Sequence, residues 1–178
     1  MTRIMGVTGW SGAGKTTLLR KLIPCLVEQG LSVSTIKHAH HRFDVDQPGK
    51  DSWVHREAGA RQVLVASDVR WALISELRGA PEPRLDELLA RLDPVDLVLV
   101  EGYKRDRHPK LEVWREATGK SPIFGDDPTI VALATDAPPL GVHLPVLPLD
   151  DVDAIARFVV ANAVPVDQVR FGAAVDRP

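Results

Sequence analysis

The chain has 178 residues, of which 44% are hydrophobic and 26% are charged, and its formal net charge is −2. These values predict one globular domain with a sizeable core, and they give no sign of general electrostatic binding to nucleic acid or to an anionic membrane. The apolar runs are too short to cross a bilayer, which argues against a membrane protein. Cys25 is the only cysteine in the sequence, so a disulfide framework and a cysteine zinc site are both excluded.

The first predicted strand, residues 4–7, and the first predicted helix, residues 17–28, enclose a glycine-rich loop. The loop reads GWSGAGKTT over residues 9–17 and fits the phosphate-binding pattern of glycine, four residues, then glycine-lysine-serine/threonine. Its glycines let several N–H groups converge on phosphate oxygens, Lys15 can reach the β and γ phosphates, and the Thr16 hydroxyl can ligate Mg²⁺. The predicted ligand is a nucleoside triphosphate, bound by Ser11, Gly12, Ala13, Gly14, Lys15, Thr16 and Thr17. The position of the loop leaves no room for a secretory signal ahead of the first strand, so we expect a cytoplasmic protein.

Further along the chain, short apolar runs alternate with helical patterns, which predicts an α/β fold. The predicted strands are residues 32–37, 62–66, 71–77, 97–100, 110–115 and 130–134. The predicted helices after the first are residues 51–57, 85–92 and 152–160. With the phosphate loop after the first strand, this order predicts the three-layer fold of P-loop NTPases, a mostly parallel sheet with helices on both faces.

Three further expectations concern the organisation of the chain. The strands at residues 62–66 and 71–77 are expected to form an antiparallel pair, and the strand at residues 110–115 to lie at an edge of the sheet. Residues 1–162 are predicted to form one nucleotide-binding domain. Residues 163–178 lack periodicity and are predicted to be a poorly ordered tail.

A carboxylate on a neighbouring strand is needed to hold the magnesium ion or its waters, and residues 96–102 offer Asp96 and Glu101. On an extended chain these two lie about 16 Å apart at ~3.3 Å per residue, so both cannot contact one metal ion. Ligands in open α/β sheets collect at the carboxyl ends of strands, which selects Glu101 and leaves Asp96 as a turn or helix-cap residue. We predict that Glu101 binds magnesium or orients an attacking water, and that Gly102 permits close backbone approach to a phosphate. The alternative is that Glu101 is only a surface acid at a strand end.

A polar segment rich in histidine and aspartate follows the second predicted strand. It contains His38, His40, His41, Asp44 and Asp46. One interpretation is a site for a divalent transition metal. The interpretation we prefer is a switch-like segment, in which Asp44 or Asp46 senses the magnesium ion and Lys50 brings a cation near the triphosphate or a second anionic ligand.

The strand at residues 130–134 ends in Thr135 and Asp136, at the same rim as the phosphate loop. A carboxylate there can accept both the N1 and the 2-amino protons of guanine, whereas adenine presents a lone pair at the matching position. We therefore predict that Asp136 recognises guanine, as in the shortened recognition element of some GTPases. The usual lysine two residues before the aspartate is absent, because Ala134 occupies that place. A plain strand-ending aspartate is the alternative.

Several motifs together resemble one known family. They are the phosphate loop, TIKHAHH (residues 35–41), FDVD (residues 43–46), PGKDS (residues 48–52), DLVLVEGYK (residues 96–104) and PKLE (residues 109–112). The set is similar to the molybdopterin-guanine dinucleotide biosynthesis protein B family (MobB) over nearly everything from residue 3 to about residue 161. The combination of the second, fourth and fifth motifs is far more specific than the phosphate loop, which many unrelated proteins share.

The resemblance implies a GTP-binding homodimer with slow, magnesium-dependent hydrolysis. It also implies an accessory role beside the guanylyltransferase that joins GMP to molybdopterin, so that enzyme and molybdopterin are the expected partners. In this picture residues 12–17 hold the phosphates, Thr16 and Glu101 serve the magnesium ion, and Asp136 holds the base. Lys15 and Glu101 are then the residues that act in hydrolysis. Trp10 is bulkier than expected in such a loop, but its side chain can point away from the backbone that binds phosphate.

Two other functions remain open from the residues alone. A small-molecule kinase needs a mobile arginine-rich lid, which residues 105–108 (RDRH) could imitate. A metallochaperone GTPase would use the segment from His38 to Asp46 as its metal site. We rank the GTP-binding accessory protein above both.

Overall fold

The structure, a computed structural model, describes residues 1–39 and 43–171. These residues divide into two compact units: residues 1–38 with 84–171, and residue 39 with residues 43–83. The chain predicted as one domain over residues 1–162 thus contains a compact unit inserted after its second strand. His40 and His41 of the predicted metal or switch segment lie outside the described residues.

The first unit is built on a seven-stranded sheet. Its strands are β1 (Arg3–Thr8), β2 (Val33–Lys37), β5 (Leu97–Glu101), β6 (Lys110–Trp114), β7 (Ile130–Thr135), β8 (Val146–Pro148) and β9 (Val164–Pro165). Their order in the sheet is β2-β5-β1-β6-β7-β8, with β9 paired to β1. Its helices are α1 (Lys15–Glu28), α3 (Leu85–Leu89) and α4 (Val152–Asn162), with short 3-10 turns at Glu116–Thr118 and Val166–Gln168. Every strand pairing is parallel except that of β9 with β1, which confirms the predicted mostly parallel sheet.

Side chains alternate across the sheet, so each strand feeds a core on either face. On one face, Met5 and Val7 of β1 pack in a cluster with the apolar sides of α1 and α4. On the other face, Ile4 packs in a cluster with Leu85 of α3. Helices therefore cover both faces, as the three-layer fold predicts.

The prediction that the strand at residues 110–115 lies at an edge is wrong. β6 lies between β1 and β7, and all five of its residues are buried. The alternation of Lys110 and Glu112 with apolar residues suggested a solvated face, but both charged side chains are fully buried and have polar partners.

The predicted tail also differs from the structure at its start. Val164 and Pro165 form β9, which pairs with the part of β1 that β6 does not reach. Val166 and Phe171 pack against the cluster that contains Ile4. Residues 163–171 are thus part of the first unit, and residues 172–178 lie outside the described residues. None of the helices in the described ranges combines the length and apolar character that crossing a bilayer requires.

The second unit consists of α2 (Asp51–Glu57) and a hairpin of β3 (Gln62–Ala66) and β4 (Trp71–Ser75). β3 and β4 are antiparallel, with Val63 opposite Ile74, which confirms the predicted pair. Arg56 on α2 holds this unit together by ion pairs with Asp44 at 2.6 Å and Glu76 at 3.2 Å.

Candidate functional site

The glycine-rich loop connects β1 to α1 at the carboxyl edge of the sheet. Gly9 has a φ of +138°, and a Cβ there would lie 2.2 Å from the Val113 carbonyl oxygen of β6, so only glycine fits. Gly14, with a φ of +100°, turns the chain directly into α1, whose first residue is Lys15. The N–H groups of the first turn of a helix lack intrahelical acceptors and face outward, which suits them to bind an anion.

The Lys15 ammonium group folds back over the loop. Its Nζ donates to the carbonyl oxygens of Gly9 at 3.0 Å and Trp10 at 2.9 Å. Burial lowers the pKa of Lys15, Glu101 raises it, and the neighbouring Lys104 and Lys37 lower it further. Lys15, Lys37 and Lys104 thus place positive charge around the loop, with Glu101 as the acidic group among them.

The Trp10 side chain is held by contacts outside the loop. Its indole N–H donates to the Ser121 carbonyl oxygen at 2.8 Å. The Nζ atoms of Lys104 and Lys120 lie 5.3 Å and 4.6 Å from the ring centroid, within the range of cation–π contacts.

Glu101 ends β5, next to the phosphate-loop strand, in register with Val7 of β1 and Lys37 of β2. Its Oε2 lies 3.4 Å from Lys37 Nζ, and its side chain is 14% exposed. Lys37 is a neighbour that the sequence prediction did not include. The spacing of the two strands gave no indication that these residues would face each other.

The other residues of the Glu101 segment have structural contacts. Asp96 lies at the opposite end of β5, where its carboxylate accepts from the N–H and hydroxyl of Ser32 at 2.8 Å and 2.6 Å. These hydrogen bonds lower the pKa of Asp96 and fix the turn before β5, in agreement with its predicted turn role. Gly102 lies against His38, since a Cβ there would be 2.6 Å from the His38 Cβ. Its approach to a phosphate stays a prediction.

Asp136 follows β7 and is half exposed, at the same edge of the sheet as the loop. Its Oδ2 lies 3.4 Å from Nη1 of Arg115, the residue directly after β6. Arg115 also lies against Gly14, because a Cβ there would be 3.4 Å from its Nε. Thr16 and Thr17 are exposed on the first turn of α1. The first unit therefore brings the loop, Glu101 and Asp136 to one edge, together with Arg115, which sequence reasoning missed.

A family model described as molybdopterin guanine dinucleotide synthesis protein B (MobB) matches residues 4–136. The chain belongs to this family. It is 44% identical to the molybdopterin-guanine dinucleotide biosynthesis adapter protein of Escherichia coli (strain K12), over 90% of this chain and 93% of that protein. It is also 44% identical to the protein of the same name from Haemophilus influenzae, over 88% of this chain and 86% of that protein.

Solved MobB structures share the fold. A crystal structure described as molybdopterin-guanine biosynthesis protein B is 27% identical with a TM-score of 0.70, and the match covers 89% of this chain and 98% of that one. A MobB homologue from Bacillus stearothermophilus is 29% identical with a TM-score of 0.63, covering 89% and 95% of the two chains. The resemblance seen in the motifs is thereby confirmed at the level of the family.

The histidine and aspartate segment of this MobB chain is divided between the two units. His38 belongs to the first unit, and its ring contacts Tyr103 with the centroids 5.1 Å apart. Asp44 and Asp46 belong to the second. The N–H of Asp46 and the guanidinium of Arg56 lower the pKa of Asp44 by hydrogen bonding to its carboxylate.

Asp46 and Lys50, both predicted to bind ligands, lie in the second unit as well. Asp46 accepts from the Ser52 hydroxyl at 2.7 Å and lies 3.6 Å from Arg56 Nε. Lys50 is exposed and precedes α2 as its N-cap residue. Within residues 1–39 and 43–171, no group of three or more His, Cys, Asp or Glu side chains is arranged to hold a metal ion. The ligand roles of Asp46 and Lys50 stay predictions.

A buried polar cluster on β6 and the preceding turn, His108, Lys110 and Glu112, was also missed by the sequence prediction. Glu112 accepts from the N–H groups of Ile123 and Phe124 at 2.7 Å and 2.9 Å, and burial raises its pKa. Burial, with Lys110 nearby, lowers the pKa of His108 to about 3, so its ring is neutral at physiological pH. Because His108 is fully buried, the RDRH segment is fixed at its end, which disfavours its interpretation as a mobile kinase lid.

Proposed function

We propose that the protein binds GTP with Mg²⁺ and acts as an accessory protein of molybdopterin guanine dinucleotide biosynthesis. The observation that carries this proposal is the placement of the phosphate loop, Glu101 and Asp136 along one edge of the sheet. Membership of the MobB family supports the biosynthetic role, because the relatives from E. coli and H. influenzae are named biosynthesis adapter proteins.

The residues at the loop fit a magnesium ion bound beside a triphosphate. Thr16 and Glu101 offer the oxygen ligands that Mg²⁺ prefers, and the ion keeps several waters in sites of this kind. Lys37 contacts Glu101 at Oε2, and a carboxylate has further lone pairs for a metal or its waters.

Slow hydrolysis is the enzymatic activity we propose. Lys15 stabilises charge on the β and γ phosphates, and Glu101 orients water. The Glu101 carboxylate also pairs with Lys37, whose Nζ lies 3.4 Å from Oε2. Turnover is expected to be weak, as the resemblance to the family implies.

Guanine specificity is assigned to Asp136, and calorimetric titration tests it. Wild type and Asp136→Ala are titrated with GTP and with ATP, each with Mg²⁺. Charge-assisted hydrogen bonds contribute about 1.5–3 kcal/mol, so the variant is expected to lose roughly tenfold or more in GTP affinity while ATP binding is unchanged. Equal binding of GTP and ATP by the wild type would contradict the proposal.

The partners proposed are molybdopterin and the guanylyltransferase that joins GMP to it. The test is formation of the dinucleotide by the purified guanylyltransferase, with and without this protein. Adding the wild-type protein is expected to raise the rate of dinucleotide formation. Adding the Lys15→Ala variant is expected not to raise it, because the substitution removes the phosphate contact. Equal stimulation by both proteins would show that nucleotide binding is not part of the accessory role.

We also propose a homodimer, formed through the β3–β4 hairpin. Leu64 and Leu73 are paired across the hairpin and are 62% and 46% exposed, and Trp71 is 62% exposed. A two-stranded hairpin is marginally stable alone, and exposed apolar strands favour pairing with another chain. Sedimentation should give a dimer for wild type and a monomer for Leu64→Asp. Leu140→Asp, which changes an exposed leucine of the first unit, is the control that should remain dimeric.

A further inference from the structure

Arg115 lies between the two ends of the proposed nucleotide site. It follows Trp114 of β6, and Trp114 is in register with Thr135 of β7, so Arg115 and Asp136 leave adjacent strands side by side. The Arg115 side chain uses this position, with Nη1 at 3.4 Å from Asp136 Oδ2. The guanidinium is thus already in contact with the carboxylate proposed to bind the base.

The same guanidinium lies against the phosphate loop. A Cβ built on Gly14 would be 3.4 Å from Arg115 Nε and 3.7 Å from Nη2, so the glycine leaves space for the guanidinium plane. Nε is buried, and among the described residues it has no hydrogen-bond partner. A buried N–H group that lacks an acceptor is energetically unfavourable, especially on a cation. The Nε–H of Arg115 is such a group, and it lies beside the loop where an anion is expected to bind.

We propose that Arg115 is a positioning residue that couples guanine recognition by Asp136 to the phosphate loop, in place of the lysine missing at residue 134. Ala134 is fully buried in the sheet and has no side chain that could reach the loop. Arg115 comes from the neighbouring strand and reaches both the loop and the aspartate. The inference rests on the proposed function, since it requires that Asp136 binds the base.

The chemistry of the two groups supports this division of roles. A carboxylate has about four lone-pair positions, so the contact with Arg115 at Oδ2 leaves others for the N1 and 2-amino protons of guanine. The ion pair restricts the rotation of Asp136, which otherwise ends a strand with a half-exposed side chain. Arginine suits this place better than lysine, because its planar group can pair with a carboxylate and lie flat on a glycine at the same time.

The test compares affinities for GTP and ATP, each with Mg²⁺, in wild type, Arg115→Gln, Arg115→Lys, Asp136→Asn and the double variant Arg115→Gln/Asp136→Asn. Arg157→Gln, which removes an exposed cation from α4, is the charge-matched control. Thermal unfolding of each variant checks that it is folded. The ratio of GTP affinity to ATP affinity is the decisive readout, because a purely structural defect would weaken the binding of both nucleotides alike.

Arg115→Gln is expected to lower the GTP-to-ATP preference about fivefold, the upper end for a partly exposed ion pair. Arg115→Lys is expected to recover part of the loss, and Arg157→Gln to match wild type. The double variant is expected to show the same preference as Asp136→Asn within about twofold, because the two residues act as one unit.

The failure of the inference can be told from the failure of the proposed function. If Asp136→Asn loses the preference but Arg115→Gln keeps it within about twofold, the role of Arg115 is refuted and guanine recognition stands. If Asp136→Asn keeps the preference, the guanine assignment fails and the inference fails with it. Equal weakening of GTP and ATP in Arg115→Gln also refutes the coupling. If Arg115→Gln does not fold, Arg115→Lys decides: a lower preference supports the inference, and the wild-type preference overturns it.

Discussion

The buried Lys110 on β6 offers a sharp test of what holds the centre of the sheet together. Its side chain is fully buried, and its Nζ donates to the Asp106 carbonyl oxygen at 2.6 Å and to the Thr129 hydroxyl at 2.5 Å. Asp127 Oδ2 lies 3.5 Å away and is the counter-charge. Lys110→Met keeps most of the apolar volume and removes only the charge and its hydrogen bonds.

Removing one partner of a buried ion pair costs about 3–5 kcal/mol, because the other charge and its polar neighbours are left without compensation. Asp127 is 18% exposed, so water can partly replace the lost cation. The expected cost is therefore at the lower end of this range, about 3 kcal/mol. With a urea m-value of about 2 kcal/mol per molar, Lys110→Met should lower the unfolding midpoint by about 1.5 M. That loss is a large share of the ~5–15 kcal/mol that stabilises a typical domain.

Equilibrium urea unfolding of Lys110→Met, Asp127→Asn and the double variant gives the coupling between the two residues. Each single variant should be strongly destabilised, and the double variant should be less destabilised than the sum of the two. Lys21→Met, which changes an exposed lysine of α1, is the control and should stay within about 0.5 kcal/mol of wild type. Single effects below about 1 kcal/mol that simply add would refute the view that a buried ion pair stabilises this strand.

Three further predictions concern the loop and the core. Gly9→Ala should abolish detectable nucleotide binding, because its Cβ would meet the Val113 carbonyl oxygen at 2.2 Å; in the same titration Gly125→Ala, with open space around it, should bind normally. Lys15→Ala should weaken triphosphate binding by roughly tenfold or more with little change in unfolding temperature, since its Nζ donates to two carbonyl oxygens of the loop itself. Burial raises the folded-state pKa of Glu112 above its ordinary 4.5, so its contribution to stability is present below pH 4.5 and is lost as pH rises through the raised pKa. The unfolding free energy of wild type relative to Glu112→Gln should therefore decline with pH above 4.5; a rise would contradict the assignment.

The phosphate loop and the β3–β4 pair could be predicted because their determinants are local. The glycine spacing of residues 9–17 specifies the loop by itself, and a polar turn between two apolar runs specifies a hairpin. The place of β6 could not be predicted in this way. Burial of Lys110 depends on Asp127 and Thr129, which reach it from another part of the chain, and no pattern within residues 110–115 reports them.

The end of the first unit and the cations of the site were missed for related reasons. β9 has only two residues, too few for a strand periodicity, and it forms because β6 leaves part of β1 unpaired. Lys37 and Arg115 each lie beside an acidic residue that was predicted, but the pairings become visible only when β2 meets β5 and β6 meets β7. Sequence reasoning thus found the carboxylates and missed their counter-charges.

These counter-charges bear on how the site would meet a ligand. Glu101 and Asp136 each pair with a cation, Lys37 in one case and Arg115 in the other, at 3.4 Å in both. Restraint of a side chain before binding lowers the conformational freedom that is lost when the ligand arrives. The two cations also keep the negative charge of the carboxylates from repelling a triphosphate. The proposed site can therefore place acidic residues at the metal and at the base while the edge between them stays attractive to phosphate.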